Sequence, residues 1–318
     1  MIRSSRVEAF DTAAELNSDI LIHALGFERR SSAILMSKVS SGTQQIVSLL
    51  FEGEHRLSFY NNLAIAHERD ATLVGDYTAF FRNDFYETVR TMKQRVGRPV
   101  RLAVDISSMN RTMIATALFT ILSLRQHMGA VSLIYVPGEF HEPKSEFPAI
   151  EQIGAVIPEL SGFSADPELP IGVVAGLGYE YGLAVGLINR LEPRLTVCFR
   201  AVGHDPRYEE ACRIANLDFD FGGNPIELGS YPILDAAVAF DYLENVVYGM
   251  SKSFRVVIVP LGPKLFAALA TLIAIRNFST VSVWRVAAQL EVSDVRPCAE
   301  FLRLDLDLEC PLPNLKME

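Results

Sequence analysis

With 318 residues, 49% of them hydrophobic and 21% charged, the chain has material for two well-packed domains of about 150 residues each. A net charge of −9 argues against the broad basic face that long duplex nucleic acid needs, while leaving room for a small anion in a local basic pocket. The longest apolar run, at 266–275, falls short of the roughly 20 residues that span a bilayer, and the opening Met-Ile-Arg-Ser-Ser-Arg lacks a signal peptide's apolar stretch; a cytoplasmic protein without membrane contact is expected.

In chain order, short apolar runs rich in β-branched residues alternate with amphipathic segments. Strands are expected at 19–25, 46–51, 71–75, 100–105 and 131–136, then at 171–176, 194–200, 225–229, 254–260 and 281–286. Helices fall between them, for example at 112–126 and 265–276. The runs lack polar alternation, so both faces should be buried, as in a parallel sheet with right-handed crossovers. Residues 161–167 read as a linker, and the Leu-alternating stretch 302–310 reads as a half-exposed edge strand.

The two halves repeat. Ile20-Leu-Ile-His-Ala-Leu-Gly26-Phe27-Glu28 matches Gly172-Val-Val-Ala-Gly-Leu-Gly178-Tyr179-Glu180, with Gly26 and Gly178 lying 152 residues apart. Gly53 and Gly203 lie 150 apart, Gly75-Asp-Tyr77 and Gly229-Ser-Tyr231 lie 154 apart, and the runs starting at Val131 and Val281 lie 150 apart. Shared order and spacing imply an internal duplication. The expected architecture is therefore α/β: two tandem Rossmann-like doubly wound parallel sheets, a first repeat over 1–160 and a second over 170–318 that ends in the edge strand.

Ligands of such sheets bind beyond the carboxyl ends of the strands, at helix N-termini. The loop Asp105-Ile-Ser107-Ser108-Met-Asn110-Arg111 leaves a strand and enters a helix that Ser108 or Asn110 would cap. Arg111 in the first helical turn opposes the macrodipole by a few tenths to about 1 kcal/mol, which a bound anion would relieve; pairing with Asp105 or simple exposure is the alternative. The second repeat carries Gly262, Pro263 and Lys264 at the corresponding place, with Lys264 lying 153 residues after Arg111. The Gly26-Phe27-Glu28 and Gly178-Tyr179-Glu180 loops suit a phosphate or ribose contact, although each Glu also suits a helix start. Arg29 and Arg30 make the first loop the more basic. Tyr77 and Tyr231 could stack on a base or pack. His55, Arg56, His204 and Arg207 occupy the second loop of each half. His23 reads as a core histidine, and His127 and His141 lack metal spacing. The four cysteines read as core residues rather than a disulfide or metal framework, and no metal or cofactor is expected.

Residues Asp105 to Met113 resemble the strand-loop-helix signature of CARF domains, Asn-hydrophobic-Thr-Gly-Gly-Thr-Lys-x-Met. Asp105 stands for the Asn, Ser107 for the Thr, Arg111 for the Lys and Met113 for the Met, while Ser108 and Met109 replace the two glycines. The resemblance implies a Rossmann-like sensor of cyclic oligonucleotides in prokaryotic antiviral defence; CARF proteins usually carry an effector, so output from this chain is expected to pass to an effector protein encoded separately or through a change of oligomer. Three functions follow as expectations. The first is a nucleotide-binding sensor whose small phosphate-rich ligand sits in a cleft between pseudo-symmetric halves. The second is an enzyme on a nucleotide or phosphosugar, a ring nuclease or N-glycosidase, with Asp105, Glu28 or Glu180 as acid or base. The third is a non-catalytic scaffold.

Overall fold

In the computed structural model the described residues are 2–8, 16–51, 53, 55–142, 150–162, 166–179, 182–203, 205–217, 226–288, 293–313 and 315. They form two compact units: Met1–Glu139 with Val292–Cys310, and Phe140–Glu291 with Pro311–Leu315.

The first unit holds strands β1 (Ile2–Glu8), β2 (Ile20–Leu25), β3 (Gln45–Leu50), β4 (Thr72–Val74), β5 (Val100–Asp105) and β6 (Met128–Tyr135). Its helices are α1 (Ala33–Met36), α2 (Phe59–Glu68), α3 (Tyr77–Ala79), α4 (Phe85–Val96) and α5 (Arg111–Ser123), with a 3-10 turn at Arg29–Ser32. The second unit holds β7 (Ile150–Ala155), β8 (Ile171–Leu177), β9 (Leu195–Val202), β10 (Ile226–Pro232), β11 (Arg255–Pro260) and β12 (Ser282–Ala288), with α6 (Leu183–Leu191), α7 (Pro206–Leu217), α8 (Ala236–Met250) and α9 (Lys264–Arg276). Strand β13 (Glu300–Leu306) is the last strand among the described residues.

Both sheets carry one plan. In the first, β4-β3-β2-β5-β6 run parallel; in the second, β10-β9-β8-β11-β12 do. Each reads third-second-first-fourth-fifth within its half, the doubly wound order with the chain reversing direction beside the first strand. The fold is α/β and Rossmann-like in both units, as the spacing of the apolar runs predicts. All six side chains of β2 are buried, as are those of β8 from Gly172 onward, which is why neither strand alternates in sequence. Helix α9 is wrapped completely: every residue from Leu265 to Ile275 is buried. Asn110 caps α5 by accepting from Met113 N at 2.8 Å, and Asp235 caps α8 by accepting from Val238 N at 3.1 Å.

The domain boundaries drawn from the repeat need correction. Strand β7 follows β6 in the chain but pairs antiparallel with β12, the last parallel strand of the second sheet. Strand β13 follows β12 but pairs antiparallel with β6 of the first sheet, Leu302 opposite Tyr135. Each half thus sends its last strand to the other half's sheet. Nor is β13 an edge strand, because β1 pairs along its other side from Glu300 to Leu306. The Leu alternation is nonetheless read correctly: Leu302 and Leu304 are buried, while Arg303 and Asp305 are partly exposed. Alternation reports which face is buried and is silent about which sheet does the burying.

Candidate functional site

In the first unit the chain leaves the sheet in opposite directions after β2 and β5, and the two loops meet at the carboxyl edge. The β2 loop is held by one side chain. Asn62 on α2, 2% exposed, donates from Nδ2 to the carbonyls of Gly26 (2.9 Å) and Glu28 (2.8 Å), and its Oδ1 accepts from Ser32 Oγ at 2.7 Å. That clamp presents Glu28, whose Oε2 accepts from Arg30 Nε at 2.6 Å; the Arg30 side chain is only 11% exposed. Ser108 Oγ, from the β5 loop, lies 3.5 Å from the same Glu28 oxygen.

Asp105 ends β5, fully enclosed. Its Oδ1 accepts from Ser107 N at 2.9 Å and from the Ser107 hydroxyl, which itself accepts from Val136 N at 2.8 Å. Burial pushes the Asp105 carboxyl up to about 6, against the Ser107 bonds and the Arg30 charge, which pull it down. Burial also raises Tyr135, again with Arg30 opposing. Residues 294–295 cross this edge. Asp294 accepts from Arg29 N (2.9 Å), Arg29 Nε (2.8 Å) and Ser58 Oγ (3.0 Å), and Val295 O accepts from Arg30 N at 3.1 Å. Beside it, the Arg56 guanidinium lies 5.5 Å from the Phe27 ring centroid.

The second unit repeats the clamp and changes what it presents. Asn216 on α7, 154 residues after Asn62, donates to Gly178 O at 2.9 Å and to Cys212 O at 2.7 Å. Tyr179 then lies against Tyr208, ring centroids 5.7 Å apart at 30°. Phe140 meets Tyr208 edge-on at 5.1 Å, and His141 meets Tyr179 edge-on at 5.7 Å, with His141 Nε2 and Tyr179 Oη 3.3 Å apart. Arg207 lies 4.7 Å from the Phe140 centroid while its guanidinium is held by Asp205, Nη2 to Oδ2 at 2.6 Å.

The residues expected from sequence separate accordingly. Gly26, Phe27, Glu28, Arg29, Arg30, Ser108, Asn110 and Arg111 all belong to the first unit's switch loops or the helix start beyond them. Gly178, Tyr179, Gly262 and Lys264 hold the corresponding places in the second, and Glu180 and His204 lie outside the described residues. Arg111 and Lys264 open α5 and α9 as expected, but both engage neighbouring groups, which weakens the case built on helix-start cations lacking a counter-charge. Three assignments change. Ser107 is fully buried and braces Asp105 against Val136, an internal strut rather than a ligand contact. Tyr231 lies within β10, 2% exposed, its ring 5.4 Å from Phe266, so it is core rather than a stacking platform. Tyr77 opens α3 after the Asp76 cap instead of ending β4. Gly262 answers to packing: a Cβ there would lie 2.6 Å from Leu177 O.

His23 is the core histidine expected, Nδ1 donating to Ser31 O at 3.1 Å and Nε2 accepting from Ser48 Oγ at 2.6 Å. Burial lowers it to about 4, so it is neutral. Cys198 and Cys212 are buried, and burial pushes the Cys198 thiol up to about 12. Sequence reasoning missed Asn62, Asn216, Asp294, Phe140 and Tyr208. Two signals were present: Asn62 and Asn216 are separated by 154 residues, and His141 and Asp294 by 153, both at the repeat's own period.

No family model and no curated protein matches the chain. Among solved structures it is similar to a phosphoethanolamine N-methyltransferase 1 of Haemonchus contortus, in complex with phosphoethanolamine and S-adenosylhomocysteine. Identity is 8% and the TM-score 0.24 over 91% of this chain and 87% of that one, a likeness too slight to bear on function. Among the described residues no helix is long and apolar enough to cross a membrane, and no cluster of three His, Cys, Asp or Glu is placed to hold a metal ion.

Proposed function

We propose that the chain is a nucleotide-binding sensor module for a small, phosphate-rich ligand, consistent with its resemblance to CARF domains and with a role in prokaryotic antiviral defence through a separately encoded effector. The observation that carries this reading is the first unit's switch point. There a nearly buried arginine, Arg30, sits where the β2 loop meets Ser108 of the loop leading into α5, the place at which doubly wound folds receive phosphate. Arg111 at the start of the 13-residue helix α5 adds a second cation to the same loop. A sensor fits better than a catalyst. Glu28 is committed to Arg30 at 2.6 Å, and Asp105 is sealed within the fold against Ser107, so neither is free to shuttle protons.

Thermal denaturation with mononucleotides and cyclic oligoadenylates tests the reading. A ligand at about 100 times its Kd should add about 2.7 kcal/mol of stability. Arg111→Ala and Arg30→Ala should each weaken that ligand at least tenfold, and turnover of the stabilising compound should be undetectable. Full binding by both variants would remove the site from the first unit, and steady consumption of the ligand would replace the sensor with an enzyme.

A further inference from the structure

At matching positions of the duplication, 153 residues apart, stand His141 and Asp294, each ahead of an exchanged strand and each reaching the first loop of the unit it enters. Asp294 is satisfied there by three protein donors. His141 is not. Its Nε2 faces Tyr179 Oη, while its Nδ1 is buried with no hydrogen-bond partner among the described residues. A ring nitrogen shut off from water and without a partner among the described residues is uncommon in folded proteins and points to a further partner.

The surroundings say what kind of partner. Phe140, His141, Tyr179 and Tyr208 are all half-buried, packed against one another yet still reached by solvent. Tyr179 and Tyr208 are tilted by 30° with centroids 5.7 Å apart, a wedge rather than a closed stack. Widening it to about 7 Å, twice the ~3.5 Å contact distance between carbon atoms, admits one flat ring. Arg207, a cation close to these rings, is held by Asp205 through contacts of 2.6 to 3.1 Å, so the rings and not a free cation lead the recognition.

We infer that the second unit carries a binding site for a planar, uncharged nitrogen heterocycle of the nucleobase type, stacked between Tyr179 and Tyr208 and hydrogen-bonded along its edge by His141 Nδ1. The identity of the ring as a nucleobase rests on the nucleotide reading above; the site itself rests on the rings and the orphaned nitrogen. Because Nε2 faces a hydroxyl that can donate or accept, His141 can present either Nδ1–H or a lone pair, and it can meet either kind of base edge.

Adenosine and guanosine, which have no phosphate, are the probes, titrated into the full chain by calorimetry and by saturation-transfer NMR. At least one nucleoside should bind the native protein. His141→Phe, which keeps the ring and removes both nitrogens, should weaken it at least tenfold. Tyr208→Leu should do the same, with circular dichroism confirming that both variants fold. Arg30→Ala should leave nucleoside binding unchanged. Absence of nucleoside binding at millimolar concentration, or native affinity in a folded His141→Phe protein, overturns the inference. A nucleoside bound in this way, alongside nucleotide affinity indifferent to Arg30 and Arg111, would instead remove the first-unit reading and leave this one standing.

Discussion

The two units share a strand order and a clamping asparagine, yet their carboxyl edges differ in kind. The first is ionic and polar: Glu28 with Arg30, Arg29 with Asp294, and Asp105 hydrogen-bonded to Ser107. The second is aromatic, built from Phe140, His141, Tyr179 and Tyr208. The cores diverge the same way. Buried titratable groups of the first unit include Asp19, His23 and Asp105, whereas the buried polar side chains described in the second are Thr196, Thr271 and Ser282, with Cys198 and Cys212 beside them. A duplicated scaffold can keep its sheet and diverge in its loops because the sheet needs only apolar volume, while the loops carry the chemistry.

The largest expected effect tests whether the second unit's edge depends on close backbone approach. Gly262→Ala would place a Cβ 2.6 Å from Leu177 O, backbone against backbone, with no flexible side chain to yield. A loss of about 3 kcal/mol is expected in urea unfolding followed by Trp284, the chain's single tryptophan, which lies in β12 of the second unit. A loss near zero would mean that the β11 loop is free to move away from β8, and with it Lys264.

Next comes pH, which should separate the units. Asp105 has a folded-state pKa raised from 3.8 to about 6, so its contribution to stability is fully present below about 4 and is lost as pH rises through 6. His23 acts the other way: lowered from 6.5 to about 4, it supports the fold above 6.5 and loses that support as pH falls through 4. For Asp19, burial pushes the carboxyl up but the Arg98 and Arg101 bonds outweigh it, so the net lowering also costs stability in acid. Asp105→Asn keeps an oxygen for both Ser107 bonds and removes the buried charge. It should stabilise the first unit by about 3 kcal/mol at pH 8 and by nothing at pH 4, measured by amide hydrogen exchange on β2 and β5. Second-unit amides should not respond; if they do, the two cores do not titrate separately.

Both clamps can be removed. Asn62 satisfies two carbonyls and accepts from Ser32, so Asn62→Ala should cost about 2 kcal/mol. Asn216 ties its helix to the single carbonyl of Gly178, and Asn216→Ala should cost about 1 kcal/mol. Equal costs in thermal unfolding would mean that the two loops are held alike and that their difference lies only in what they display.

How much of this was legible beforehand follows from what periodicity encodes. Strand runs, the doubly wound order and the core role of His23 came through because burial on both faces leaves an uninterrupted apolar signature. The exchange of β7 and β13 did not, since pairing partners leave no local mark and β13 alternates Leu with charge whichever sheet receives it. Arg111 and Lys264 were found at helix starts, yet their engagement with neighbours is a matter of side-chain placement that spacing cannot report. Asn62 and Asn216 were hidden for a simpler reason. An asparagine inside an amphipathic helix looks like a solvated residue until the carbonyl it reaches is known.

The smallest effect bears on the exposed cations. Arg29 is 52% exposed and joins its loop to Asp294, 265 residues away, whereas Arg207, in the first turn of α7, is 66% exposed and joins Asp205, two residues before it. Exposed pairs contribute little, so Arg29→Ala should cost less than about 1 kcal/mol and Arg207→Ala less still. The informative quantity is therefore local. Asp294 would keep Arg29 N and Ser58 Oγ after Arg29→Ala, so hydrogen exchange should quicken at 294–296 without reaching β13. Quickening that spreads into β13 would show that one surface ion pair governs how firmly the exchanged strand is seated.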